Sequence, residues 1–226
     1  MALKSRLVNP GSAYHVVARG VNGCRIYRHG YDKRRYLRRF AELAQECGIT
    51  IHAYCLMDNH MHFLVVPKKR DSLARFFQKL HTWWANYFNT RTKRTGHLFA
   101  GRYYSAPVDE AHYWATMRYI ELNPRRAGIG WKSLTTQYSS LWAHLNNTPD
   151  LLVALDTEAI ERRRWSGRHW LEFLEEADWE RDKRLRRHLR SSSYSRRAQP
   201  TDRHRWVNRQ FGRPTEFLSA WPISQR

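Results

Sequence analysis

Apolar and polar positions along the chain recur at two intervals, and these mark out an order of strands and helices. Tyr14-His15-Val16-Val17-Ala18-Arg19-Gly20-Val21 reads as a strand closed by Asn22-Gly23. Asp32 is placed to cap a helix running to about Cys47, with Tyr36, Leu37, Phe40, Leu43 and Ala44 on one face and Gly48 ending it. Ile49 to Met57 predicts a second strand. Asp58-Asn59 is a two-residue turn signal, and His60 to Val66 a third strand stopped by Pro67. A second helix starts at Asp71 or Ser72 and runs to about Thr90, burying Leu73, Phe76, Phe77, Leu80, Trp84 and Phe88. Leu98 to Val108 predicts a fourth, rather polar strand. Asp109 and Glu110 open a third helix, and Pro124 requires that helix to stop near Asn123.

Strand, helix, strand, strand, helix, strand is the βαββαβ order of a ferredoxin-like α+β sandwich. Its antiparallel sheet carries helices on one face, and here an extra helix follows. The expected division is a core domain over residues 1–132 and a helical appendage with a basic tail over 133–226. Trp83 and Trp84 share the amphipathic second helix, so at least one belongs to the core. Trp165, Trp170, Trp179 and Trp206 fall in the appendage, where helical spacing suits a small satellite core.

Charge narrows the function. The 226 residues carry 40 Lys+Arg against 20 Asp+Glu, a formal +20, and a polyanion such as nucleic acid is the partner that offsets such self-repulsion. Twelve Tyr and ten Trp interleave with these charges and suit stacking on unpaired bases. Arg181 to Arg213 is strongly basic, which predicts an arm that holds DNA. Cys24, Cys47 and Cys55 form no metal-binding pair, and their odd number argues against a disulfide framework. With no signal-like N-terminus and no run of membrane-spanning length, the expectation is a cytoplasmic protein, nucleoid-associated when bound to DNA. Whether it acts as a monomer or a homodimer is left open.

Candidate chemistry starts at His60-Met61-His62. Two histidines two apart on a strand face the same way, and together they make half of a divalent-metal site. Tyr119 and Asn123, four apart in the third helix, are neighbours on one face. Of the tyrosines expected on helices, Tyr36, Tyr87 and Tyr113 have Phe40, Arg91 and Met117 four residues on, so only Tyr119 has an oxygen-bearing, metal-compatible partner there. His60, His62 and Asn123 would hold Mg²⁺ or Mn²⁺ as a Lewis acid on a phosphate, leaving Tyr119 as nucleophile. Arg102, Arg118, Arg125 and Arg126 flank these motifs as candidate phosphate contacts. His15 reads as a structural histidine on the neighbouring strand.

These residues lie in segments that resemble a known family. His52 to Val65, containing Asp58-Asn59-His60-Met61-His62, is similar to the histidine–hydrophobic–histidine signature of single-tyrosine transposases. Arg118-Tyr119-Ile120-Glu121-Leu122-Asn123-Pro124-Arg125-Arg126-Ala127-Gly128 resembles the tyrosine motif of their REP-associated, IS200-like branch. Tyr14 to Gly20 and Gly96 to Tyr103 resemble two further blocks in the same order. Asp58 stands where proline is frequent, and Arg125 replaces the usual apolar residue. The resemblance implies a metal-dependent, single-strand-specific DNA endonuclease and strand-transferase acting on hairpin-forming palindromic repeats. Its tyrosine would become linked to a DNA 5′-phosphate and release a 3′-hydroxyl. Two alternatives are a non-catalytic nucleic-acid-binding module on a ferredoxin-like sheet and a metallophosphodiesterase that uses water.

Overall fold

Side chains alternate across each strand, so the sheet presents two apolar faces and both must be covered. The computed structural model describes residues 8–128, 138–150, 153–162, 165–176 and 179–194. Four strands form one sheet: β1 (Ala13–Arg19), β2 (Ile49–Leu56), β3 (His60–Pro67) and β4 (Tyr104–Val108). Their order is β2-β3-β1-β4 with every neighbour antiparallel. Helix α1 (Gly30–Cys47) joins β1 to β2 and helix α2 (Ser72–Thr92) joins β3 to β4. Strand β3 fills the gap that the first crossover leaves, which completes the ferredoxin-like sandwich.

The first face packs Tyr14, Val16, Met61, Phe63 and Val65 against Tyr36, Leu37, Phe40, Phe76, Phe77 and Trp84. Trp84 is fully buried and Trp83 only partly. Helix α1 begins at Gly30, so Asp32 is its third residue rather than its cap, and His29 takes the capping position. The buried Asp32 carboxylate accepts the backbone N–H groups of Arg28 and His29 at 2.8 and 3.2 Å. Arg91 donates to both its oxygens at 2.6 and 2.7 Å, tying α2 to α1. Strand β4 is shorter than the periodicity predicts. The stretch from Leu98 instead bonds the end of β1, through Val21 N–H to the Leu98 carbonyl at 3.0 Å and Ala100 N–H to the Arg19 carbonyl at 2.9 Å.

The second face is covered by the extra helix α3 (Glu110–Glu121) and by segments beyond residue 138. After α3 come the short α4 (Asn123–Arg126), α5 (Leu141–Asn146), α6 (Glu158–Arg162), α7 (Gly167–Glu175) and α8 (Trp179–Tyr194). Ala53, Cys55, Leu64 and Ala106 of the sheet meet Met117, Ile120, Leu141, Trp170, Leu174, Leu185 and Leu189 there. Leu56 N–H bonds the Tyr138 carbonyl at 2.9 Å and Ser140 N–H the Tyr54 carbonyl at 3.0 Å, so the open edge of β2 is paired. Cys24, Cys47 and Cys55 are free thiols. No helix among the described residues is long and apolar enough to cross a membrane. Of the basic arm, residues 181–194 lie in α8, while 195–226, with Trp206, lie outside the described residues.

One carboxylate joins the later helices to α3. Glu121 is fully buried and accepts from Ser140 Oγ at 2.6 Å, His144 Nδ1 at 2.5 Å and Trp170 Nε1 at 2.8 Å. Removing it strands three buried donors, each at a desolvation cost. Glu121→Ala is expected to lower the unfolding free energy by roughly 3 kcal/mol or more, read from the denaturant midpoint. A change under about 0.5 kcal/mol, the size typical of surface substitutions, would show that this network does not hold the second layer.

Candidate active site

Strand register decides which side chains reach the second face. His62 pairs with Val17 and Leu64 with His15, so His60, His62 and His15 all lie on the α3 side. Met61 turns to the other core, where its sulfur receives the Tyr36 hydroxyl at 3.0 Å. The turn before His60 is held despite the absence of proline. The Asp58 carbonyl accepts Ile26 and Tyr27 N–H at 2.8 and 3.2 Å, and its carboxylate meets Lys33 at 2.8 Å. Met57 N–H closes the hairpin on the His60 carbonyl at 2.9 Å.

His15 Nε2 and His62 Nδ1 are 3.0 Å apart with parallel rings, and both residues are buried. Burial pushes the His15 imidazole down to about 3. It also holds His62 well below the ordinary range, assisted by the nearby His15, His60, Arg126 and Arg186. His60 is lowered by burial too, partly offset by the neighbouring Asn123 side chain, which raises it. Both strand histidines are therefore neutral near pH 7, the form that lends a lone pair to a metal. His60 Nδ1 lies 2.7 Å from Asn59 Oδ1, so its Nε2 is the nitrogen left to turn toward a ligand.

From the opposite side comes the end of α3. The helix stops at Glu121, and α4 starts afresh at Asn123 with Pro124 in its first turn, where a missing N–H does no harm. Tyr119 and Asn123 thus straddle a break rather than sharing one continuous helix. Asn123 Nδ2 bridges the break by donating to the Tyr119 carbonyl at 3.1 Å, and Arg126 donates to the same oxygen at 2.8 Å. The Tyr119 ring stands edge-on to His62 and His15, with centroids 5.6 and 5.9 Å away. The Arg126 guanidinium lies 4.3 Å from that ring's centroid and Arg186 of α8 lies 5.3 Å from it. Arg126 is paired in turn with the buried Asp182 of α8.

The fold therefore brings His60, His62, Tyr119, Asn123 and Arg126 into one cluster. Arg118 is buried elsewhere, donating to the Phe173 carbonyl at 3.2 Å and stacking over that ring. Arg102 is exposed and Arg125 half-buried. His15, Asp182 and Arg186 join the site although the motifs did not single them out for it. Strand alternation marks His15, whereas nothing local separates Arg186 from the other charges of a basic helix. The two Nε2 atoms and Asn123 Oδ1 make a donor set that fits a divalent cation, and the flanking guanidiniums fit a phosphate.

Residues 10–123 match the sequence family described as IS200-like transposases. Among solved structures, a REP-associated tyrosine transposase bound to a REP hairpin is similar at 15% identity and a TM-score of 0.52, over 69% of this chain and 93% of that one. A Deinococcus radiodurans protein described as a candidate transposase aligns at 18% identity and a TM-score of 0.36, over 53% of this chain and 96% of its own. A bacterial tRNA(His) guanylyltransferase-like protein in complex with GTP aligns at 11% identity and a TM-score of 0.32, over 58% and 69%. Only the first of these superposes closely enough to speak for a shared fold. No curated protein is similar enough to count as a match.

Because Arg126 and Asp182 are both buried and joined, removing either leaves a charge behind. Arg126→Met and Asp182→Leu are each expected to cost roughly 3 kcal/mol, and the double variant less than their sum. Additive costs in a double-mutant cycle would mean that this pair does not anchor α8 beside Tyr119.

Proposed function

The chain belongs to the IS200-like transposase family, and from that premise we propose that it cleaves and rejoins single-stranded DNA through a covalent link to Tyr119. The observation that carries the reading is the meeting of the strand histidines with the α3 end: the Tyr119 ring edge-on to His62, with Asn123 tied to the Tyr119 carbonyl. A site for binding alone has no need of a tyrosine set against two neutral imidazoles.

In the proposed step the Tyr119 oxygen attacks phosphorus, the P–O3′ bond breaks, and the proton lost by the phenol ends on the departing 3′-oxygen. A tyrosine phenol ordinarily titrates near about 10, so it needs help to react at neutral pH. Arg126 and Arg186, lying over the ring, neutralise the phosphate that approaches it. His60, His62 and Asn123 would hold a divalent cation, Mg²⁺ or Mn²⁺, which would supply Lewis acidity against the charge growing on the phosphate. His15 holds the His62 ring in one orientation through its 3.0 Å contact, as an outer partner of a ligand does. The tyrosyl phosphodiester resembles the bond it replaces, so a 3′-hydroxyl reverses the step without ATP. The proposed substrate is single-stranded DNA with hairpin-forming palindromic repeats. The +20 charge supports a polyanionic partner, and the superposable solved transposase is itself bound to a REP hairpin.

The full chain, incubated with hairpin-bearing single-stranded DNA and Mg²⁺ or Mn²⁺, is expected to give a protein–DNA adduct that survives denaturation. Tyr119→Phe should abolish the adduct and leave DNA binding within about twofold, since the nucleophile acts in the chemical step. Cleavage that persists in Tyr119→Phe would identify a water-using phosphodiesterase. Binding without cleavage under any metal would identify a non-catalytic module.

A further inference from the structure

Trp83 and Tyr87 recur at helical spacing beside the buried Leu80, Trp84 and Phe88, so α2 carries an aromatic strip outside the first core. Both rings are partly exposed, 9° from parallel, with centroids 6.1 Å apart. The Arg35 guanidinium of α1 lies 4.5 Å from the Tyr87 centroid and 5.8 Å from that of Trp83. It donates to the exposed Tyr31 hydroxyl at 3.4 Å, and among the described residues no carboxylate pairs with it. Trp83 and Tyr87 line an open groove of ≈ 390 Å³ with Asn86, Thr90 and Arg91.

A second cavity, of ≈ 400 Å³, follows along α2, where Arg25, Arg28, His29 and Arg94 surround Phe88 and Cys24. The loop bearing Arg25 and Arg28 is fastened to the turn before His60. Ile26 and Tyr27 N–H bond the Asp58 carbonyl, and Asn59 Nδ2 donates to the Gly23 carbonyl at 3.3 Å. Trp84 Nε1 ties the same loop to α2 through the Ile26 carbonyl at 2.9 Å. The neighbouring carboxylates Asp58 and Asp32 are matched by Lys33 and Arg91, which leaves the charge of Arg25, Arg28 and Arg94 in excess. From the strand histidines the surface thus runs over a turn to a cationic cavity and then to an aromatic groove.

We infer that this succession is a track for unpaired DNA beyond the active site, with phosphates on Arg25, Arg28 and Arg94 and bases stacked in the groove of Trp83 and Tyr87. It rests on the reading of Tyr119 only for where the strand starts. Aromatic and guanidinium faces take any base while cations beside them follow the backbone, which is how single strands are held without regard to sequence. An acidic peptide would match the charge but not the ring faces. Because α1 and α2 cover the sheet on the side opposite α3, only a strand that extends past the site and over the sheet end reaches the groove.

The test compares, on the full chain, a hairpin strand without tails and the same strand with long oligothymidine tails on both ends. Tails should tighten binding about tenfold or more, and Trp83→Ala/Tyr87→Ala should remove that gain. Arg25→Gln/Arg28→Gln should flatten the salt dependence of the tailed strand by about 0.7 in log–log slope for each lost phosphate contact. Iodouracil placed in the tails and irradiated on the wild type should cross-link within the tryptic peptide Leu80 to Arg91, at Trp83 or Tyr87, whether or not the variants fold. Tails that add nothing, a gain or a salt slope untouched by the substitutions, or cross-links confined to other peptides would each overturn the track. Binding and cross-linking are read without cleavage, so this inference and the role of Tyr119 fail separately.

Discussion

The register of β3 between β1 and β2 is the constraint on which everything else rests. Side chains on a strand alternate, so a slip of one residue exchanges the faces completely. In the observed register Met61, Phe63 and Val65 fill the aromatic core under α1 and α2, while His60 and His62 face α3. The opposite register would drive two imidazoles into that core and expose Met61 and Phe63 to the site. Phe63 stacked on Phe40 at 4.4 Å and Met61 receiving the Tyr36 hydroxyl therefore position the histidines as firmly as any contact the histidines make. Pairing on both edges of β3 leaves it no freedom to slide.

A sheet with two apolar faces needs a second layer, and that need turns the later helices into part of the site. Glu121 gathers Ser140, His144 and Trp170 around the end of α3, two residues from Tyr119. Asp182 holds Arg126 over the Tyr119 ring, and Arg186 follows one turn later on the same helix. A buried carboxylate thus places a guanidinium over the Tyr119 ring. Burial also keeps His15 and His62 neutral, so the positive charge at the site comes from guanidiniums and not from imidazolium. The face proposed for catalysis would be preorganised before DNA arrives.

Much of this was legible in the sequence because it depends on local periodicity. Two-residue alternation places His60 and His62 together, and helical spacing finds Leu73 to Phe88 and the end of α3 near Pro124. Other features depend on tertiary contact and leave weak local traces. Asp32 looks like a cap, yet His29 takes that role, because Asp32 is drawn inward to Arg91 of α2. The fourth strand is shortened because the end of β1 takes up the hydrogen bonds of Leu98 to Ala100. Arg118 reads as a phosphate contact from its neighbours in sequence, but one step around the helix from Tyr119 it faces Phe173. His15 reads as structural, and its diagonal position beside His62 emerges only from the β1–β3 register. Arg186 carries no local mark at all, since its role comes from where α8 docks.

The central claim is that Tyr119 is the atom donor in a DNA–protein bond, and peptide mapping addresses it most directly. Trypsin cuts after Arg118 and Arg125, so Tyr119 to Arg125 is released as one peptide with a single tyrosine. After reaction with single-stranded hairpin DNA and exhaustive nuclease digestion, mass spectrometry should find this peptide carrying a nucleotide through a phosphodiester on Tyr119. A nucleotide on any other tyrosine, or cleaved DNA with this peptide unmodified throughout the reaction, would contradict the account.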